Sequence, residues 1–336
     1  MRHWQGLSAA IMLVSAVSAQ AAEKSWTVQG NGLRIATPCA KSVDIQPGGE
    51  AHQIKIAASA DHGEEIDQLK VTGGDVANLD VGGARCWLQG LLYEKPTMNI
   101  VVKVPDGTAL DITDGGVARY AIGAVNGALT LSFSGAGGVK AANARDLSIS
   151  LSGSGASDIG EVTGRLKTRV SGAGDLTIGR LHASASDIEL SGSAGVKVAD
   201  GDAGVLNASL HGSGNLSLPA ASAVHLTASG AGDATIKTLK GVLETRLSGS
   251  GNLTIDAIDA PSAGVQTSGH SVVKLGAGSI AAFSLSSAGA SDIIIDATVT
   301  DANISMVGAG EVRIAKLTGH VNQSVTGAGR VEIANH

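Results

Sequence analysis

Asp158 and Asp292 occupy the same place in two copies of a short phrase that recurs along the chain. Paired carboxylates on one face of a rod are what polysaccharide hydrolases and lyases use, and such groups must lie within a few ångströms of one bond. These two aspartates stand seven copies apart, roughly 33 Å at the spacing of stacked strands, so they cannot share a bond. Nucleophilic catalysis has no better footing, because Gly-x-Ser-x-Gly occurs nowhere despite the many Gly and Ser residues. The histidines after residue 21 are His52, His62, His182, His211, His225, His270, His320 and His336. They show no i, i+4 and no Cys-paired spacing, which leaves a zinc site without support. No catalytic, cofactor-binding or metal-ligating set is expected, and the chain reads as no enzyme.

Two further groupings could do chemistry. Asn215, Asp233 and Asn252 fall at one position of three successive copies; side-chain hydrogen bonding along a stack is one reading, a weak cation site the other. Calcium-binding solenoids carry Gly-Gly-x-Gly-x-Asp, but the matching place here holds Leu176, Val196, Leu216, Leu253 or Val312. The only cysteines, Cys39 and Cys86, are separated by 46 residues. In an oxidising compartment they are expected to form a disulfide worth roughly 3 to 4 kcal/mol in the chain-entropy model; two buried free thiols are the alternative. Sugar stacking would need exposed rings. Within the repeats only Phe133 and Phe283 are aromatic, both at inward positions, while Trp26, Trp87 and Tyr93 lie upstream.

What must position these residues is the repeat itself. Ser-Gly-small-Gly or a close variant begins at Ser134, Ser152, Ser171, Ser191, His211, Ser229, Ser248, Ser268, Ser286, Val307 and Thr326, a period near 19 residues. Glycines such as Gly153 and Gly155, Gly172 and Gly174, Gly212 and Gly214, Gly230 and Gly232, and Gly249 and Gly251 mark corners. Each corner calls for positive φ or for close approach of a neighbouring chain. Counting from the first residue, position 8 is apolar (Ile159, Ile178, Ile236, Ile255, Ile293) and position 7 polar (Asp158, Thr177, Thr235, Thr254, Asp292). The residue before the corner is apolar in all copies but one, where Thr267 departs. Such alternation is a strand with one face in and one face out.

A unit of this length cannot bury its own apolar face, whereas stacked units can. The expectation is an all-β parallel β-helix, a β-solenoid of about 11 coils on the order of 50 Å long, right-handed by the general preference of parallel connections. A left-handed hexapeptide helix and a β-propeller fit the period less well. Residues 22–104 read as an N-terminal β-rich cap, with strands around Val43, Ile54, Leu69 and Ile100 broken by Pro47-Gly48-Gly49, Gly73-Gly74 and Pro105-Asp106-Gly107. Residues 105–336 read as the solenoid.

Residues 1–21 carry Arg2, the apolar stretch Leu7 to Ala19 and the small-x-small site Ala19-Gln20-Ala21, which together predict a secretory signal peptide. The run is too short and too rich in Ser and Ala for a membrane anchor, and no transmembrane segment is expected in the mature chain. Without residues 1–21 there remain 23 basic and 30 acidic residues, a net charge of −7. That balance argues against nucleic acid or anionic lipid as partner.

Ile-Val-Val-Lys-Val-Pro-Asp-Gly at Ile100 to Gly107, the corner phrases that follow, and Glu65-Ile66-Asp67-Gln68-Leu69 upstream carry a resemblance over nearly the whole mature chain. On these residues it resembles the "putative auto-transporter adhesin, head GIN domain" family. The resemblance implies an exported β-solenoid domain of unknown function, in the periplasm or at the cell surface, and it supplies no catalytic residues. No aromatic-girdled strands of an outer-membrane barrel accompany the repeats, so self-export is not expected. The favoured function is a non-catalytic, adhesin-like interaction module whose partner is an unidentified envelope or surface macromolecule. The alternative is a structural protein whose coils join end to end. Weak self-association is expected at the C-terminal coil, where Val331 to Ile333 offer an edge with only Arg330 and Glu332 to guard it.

Overall fold

The alternation along the sequence is realised as a stack. A computed structural model describes residues 22–36, 39–81 and 96–335. Each phrase turns the chain between two strands, and each strand pairs in parallel with its counterparts one coil before and one coil after. Leu166–Val170 thus lies between Leu147–Leu151 and Ala185–Leu190, and across the corner Leu176–His182 lies between Ser157–Val162 and Val196–Asp202. About a dozen such coils follow one another. In the later ones the second connection is extended too, so that Leu253–Thr267, Val272–Gly289 and Asp292–Gly308 run as long bent strands.

The core is a set of apolar columns. Ile236, Ile255 and Leu275 stack in register and are at most 1% exposed, each worth about 1.5 to 3 kcal/mol when fully buried. Thr254, one residue away, faces outward and is only half-buried.

At the corners, close approach decides the choice of glycine. A Cβ on Gly249 or Gly251 would be driven into the carbonyl oxygen of Gly230 or Gly232, one coil back. The same collision with the preceding coil awaits a Cβ at Gly153, Gly155, Gly172, Gly174, Gly212, Gly214, Gly230 and Gly232. Those carbonyls are occupied by the ladder itself: Ser250 N donates to Gly230 O at 3.1 Å and Ala231 N to Gly212 O at 3.0 Å. Among corner glycines, positive φ is confined to Gly289 (131°), Gly308 (139°) and Gly327 (107°).

The ninth copy does not begin at Ser286. Gly289 stacks on Gly308, and Ser287 pairs with both Thr267 and Met306, so the corner is Ala288-Gly289-Ala290-Ser291. Ile295, not Ile293, then occupies the inward column of Leu275 and Ile314. Asp292 leaves the outward column of Asp158 and joins that of Val272 and Glu311, while the half-buried Ile294 takes its place beside Lys274 and Arg313. The slip is two residues long. Because side chains alternate with period two, such a slip keeps every inward residue inward, and the hydrophobic pattern cannot detect it.

The corrected register also explains the polar exceptions. Thr267 and Ser287 now share one inward column, and the Thr267 hydroxyl donates to Ser287 Oγ at 2.9 Å. Ser271 and Ser291 both replace the second corner glycine, and their hydroxyls donate to Gly249 O (3.2 Å) and Gly269 O (3.1 Å). Buried hydroxyls are tolerated where they find partners.

The stack reaches back into the N-terminal segment. Gly32–Ala36 and Ser42–Pro47 lie parallel to Ala109–Asp114 and Arg119–Ile122 and form a coil without the glycine phrase. On that coil sit Val76–Val81 and Asn99–Val104, also parallel. Antiparallel strands complete the end: Gln53–Ala60 on Asn99–Val104, Ala22–Gln29 on Gln53–Ala60, and Leu69–Thr72 on Val76–Val81. A short helix, Gly63–Asp67, intervenes. From it the Glu65 carboxylate accepts the Thr97 hydroxyl (2.7 Å) and the backbone N–H of Met98 (3.2 Å), steering the chain into strand Asn99–Val104.

Candidate functional site

Side chains leave a strand outward at every second residue, so the face preceding the corners carries two parallel outward columns. One runs Lys167, Asp187, Asn207, His225, Glu244, Gly264, and the other Arg169, Glu189, Ser209, Thr227, Arg246, Gln266. Between these rims lies a trough of about 620 Å³. Its floor is the backbone of the intervening residues, whose own side chains, Ile188 and Leu226 among them, turn into the core.

The rim groups are tied to one another from coil to coil. Arg169 donates Nε (2.9 Å) and Nη2 (2.7 Å) to Glu189 Oε2, and Asn207 Nδ2 donates to Asp187 Oδ1 at 2.9 Å. His225 Nδ1 lies 3.1 Å from Glu244 Oε2, and Arg246 Nε donates to Gln266 Oε1 at 3.0 Å. Exposed pairs of this kind add about 0 to 1 kcal/mol each; their effect is to hold donors and acceptors in place. Lys167, Arg169 and Arg246 balance Asp187, Glu189 and Glu244.

On the other side of the column that runs through Glu244 and Gly264 lies a second trough of about 510 Å³, bordered by Ser284, Asn303 and Asn322 of that same column and by Asp301 and His320 opposite. Phe283 lies in its floor, 2% exposed. The backbone N–H of His320 donates to Asp301 Oδ1 at 2.8 Å and holds that carboxyl below the ordinary carboxylate range.

Asn215, Asp233 and Asn252 stand in one column, each accepting from the coil that follows. Asn215 Oδ1 takes the Asp233 N–H (3.0 Å), Asp233 Oδ1 the Asn252 N–H (3.0 Å), and Asn252 Oδ1 the Val272 N–H (2.9 Å). Asp175 and Asp292 do the same for Gly195 (2.7 Å) and Glu311 (3.2 Å). Sequence reasoning missed both: Asp175 was legible at the fifth position of its copy, whereas Asp292 was hidden by the register slip. Among the described residues no three His, Cys, Asp or Glu side chains converge as a metal site would need. Asp158 pairs in register with Lys140 and Thr177, far from Asp292 along the rod. Cys39 is half-buried against the core; Cys86 lies outside the described residues.

One carboxylate stands apart. Asp114 is 2% exposed, at the inward place that Phe133 and Leu151 hold in the next coils. Burial raises its pKa, against the lowering effect of hydrogen bonds from Gly116 N (2.7 Å) and the Tyr120 side chain.

Comparison with known proteins gives one family. The family described as "Putative auto-transporter adhesin, head GIN domain" matches residues 42–220 and 217–336. No curated protein matches the chain. Similar solved structures include a "putative lipid binding protein" from Parabacteroides distasonis (12% identity, 93% of this chain and 96% of that one, TM-score 0.31). A "putative adhesin" from Bacteroides fragilis is 12% identical over 94% of this chain and 98% of that one, with a TM-score of 0.28. Another "putative adhesin", from Parabacteroides distasonis, is 15% identical over 94% and 97%, with a TM-score of 0.31. Among the described residues no helix is long and apolar enough to cross a membrane.

Proposed function

The chain belongs to the auto-transporter adhesin head GIN domain family, and from that premise we propose that it acts as an exported, non-catalytic, adhesin-like module that engages a macromolecule of the cell envelope or surface. The observation that carries this reading is the fixed order of the trough rims. Arg169 with Glu189, and Arg246 with Gln266, are held by neighbouring coils, so little side-chain freedom remains to be lost on binding, the condition that favours recognition. The signal-like residues 1–21 and the family description support export. The test is binding of labelled mature protein to intact cells and to isolated envelope. Saturable binding that weakens when Arg169 and Arg246 are both changed to Glu, and not when Thr235 on the other face is changed to Lys, is the expected result. Non-saturable binding overturns the reading.

A second reading, end-to-end assembly, has its own observation. Strand Val321–Gly327 is exposed along almost its whole length, with Val325 39% exposed, and among the described residues it pairs on one side only. An unpaired edge is a template for another chain. Sedimentation velocity over a concentration series should show mass growing with concentration, and Val331→Pro should suppress it by deleting a ladder donor.

A further inference from the structure

We propose that the trough between the two rims binds a linear, uncharged, hydroxyl-rich polysaccharide, lying along the rod with about one sugar ring for each coil. This rests on the reading of the chain as an interaction module and names the chemistry of its partner.

The first support is period. Rim groups repeat at the strand spacing of about 4.8 Å, and they do so over the six rungs from Lys167 to Gly264. Each pyranose of an extended glycan advances its chain by close to that distance, so successive rings meet successive rungs. An extended peptide is out of step, since its residues advance by about 3.3 Å and its same-face side chains by twice that.

Charge is the second support. The rims hold three cationic and three anionic side chains, of which Arg169, Glu189, Asp187, Glu244 and Arg246 are already paired or bonded along the axis, in a protein whose mature chain carries a net −7. A polyanion would meet Asp187, Glu189 and Glu244 as well as the overall negative field, and a polycation would meet Lys167 and Arg246 and have to displace Arg169 from Glu189. A neutral chain meets neither penalty. It also finds what the rims still offer: the guanidinium N–H groups that Arg169 does not give to Glu189, the hydroxyls of Ser209 and Thr227, and the second oxygens of the carboxylates.

Third, recognition here is by hydrogen bonds and not by stacking. Phe133 and Phe283 are buried and among the described residues no Phe, Tyr or Trp side chain lines the trough, so no such ring there meets a pyranose face, and individual sugars should contribute little. Affinity should therefore accumulate with the number of rungs engaged.

Gly264 gives a direct probe. A Cβ at this position meets nothing closer than Leu243 O at 3.8 Å, so Gly264→Leu adds bulk to the trough without a backbone clash. The experiment is titration calorimetry of the mature protein with cellohexaose, chitohexaose and mannohexaose, their trisaccharides, and hexagalacturonate as the charged control. At least one neutral hexasaccharide should bind, on the order of tenfold or more tighter than its trisaccharide and tighter than hexagalacturonate. Gly264→Leu and Asn207→Ala should each weaken that binding, with melting temperatures unchanged; should the leucine disturb the fold, Asn207→Ala carries the test. The proposal is overturned if no neutral hexasaccharide binds, if hexagalacturonate binds as tightly, or if trough substitutions have no effect. Saturable envelope binding that survives Gly264→Leu would leave the interaction module standing and remove the trough as its site. Envelope binding lost in Gly264→Leu without any hexasaccharide binding would place a peptide there instead.

Discussion

Asn252 donates both its backbone N–H (3.0 Å) and its side-chain Nδ2 (2.9 Å) to a single oxygen, Oδ1 of Asp233 in the coil before it. Its own Oδ1 meanwhile accepts the N–H of Val272 in the coil after it. The corner backbone thus finds partners in side chains where the strand ladder has not yet begun. Loss of Asn252 leaves the Val272 donor without its partner, so Asn252→Ala should cost about 1 to 2 kcal/mol, read by chemical denaturation. Asp233→Asn keeps the accepting oxygen and should cost much less. An equally large loss for Asp233→Asn would mean that the charge of Asp233 matters at this column as well as the hydrogen bonds. Because these oxygens are already occupied, millimolar calcium or a chelator should leave the melting temperature unchanged; a calcium-dependent rise would restore the cation reading.

The inward and outward faces of the ninth copy's strand can be tested with neighbouring substitutions. Ile295→Asp and Ile255→Asp both bury an unpaired carboxylate and should cost several kcal/mol, whereas Ile294→Thr and Thr254→Asp should be nearly silent. A large loss for Ile294→Thr with little loss for Ile295→Asp would reverse the orientation of that strand.

Asp114 gives a pH dependence of definite sign. Its folded pKa is raised by burial, so between the ordinary value of about 3.9 and the raised one the folded protein holds more proton than the unfolded. Its contribution to stability is present at low pH and is lost as pH rises through the folded pKa. Asp114→Asn removes the titration and keeps an acceptor for Gly116 N. The difference in melting temperature, wild type minus variant, should therefore increase on acidification from neutral pH towards 4. Carboxylates held low, Asp146 by the Arg165 N–H and Asp301 by the His320 N–H, act oppositely but are common to both proteins and cancel. A pH-independent difference would show that Asp114 does not titrate in this window.

Cys39 and Cys86 are expected to be bridged. Alkylation of the unreduced native protein followed by intact-mass measurement should find no modified thiol, and two after reduction. Reduction should lower stability by roughly 3 to 4 kcal/mol. Alkylation of both cysteines before reduction would refute the bridge.

The corner phrase and the period-two alternation determine, from sequence alone, that the chain stacks in parallel coils and which residues of Leu166–Val170 or Leu253–Ile258 face inward. These are local properties, since the direction of a side chain follows from its parity within one strand. Parity also sets the limit. A shift of two residues leaves it unchanged, so only the pairing of Gly289 with Gly308 could place Asp292 beside Glu311 and put Thr267 against Ser287. The first coil, Gly32 to Pro47, was hidden for a related reason: it lacks the glycine phrase and is recognisable only by the strands lying on it. The rims of the trough are the clearest case. Arg169 and Glu189 stand two residues before the corner of successive copies, so the repeat makes them neighbours, but it does not show that a trough runs beside them. The trough exists because two outward columns run side by side over six rungs, and that alignment is decided by the stacking of the whole rod.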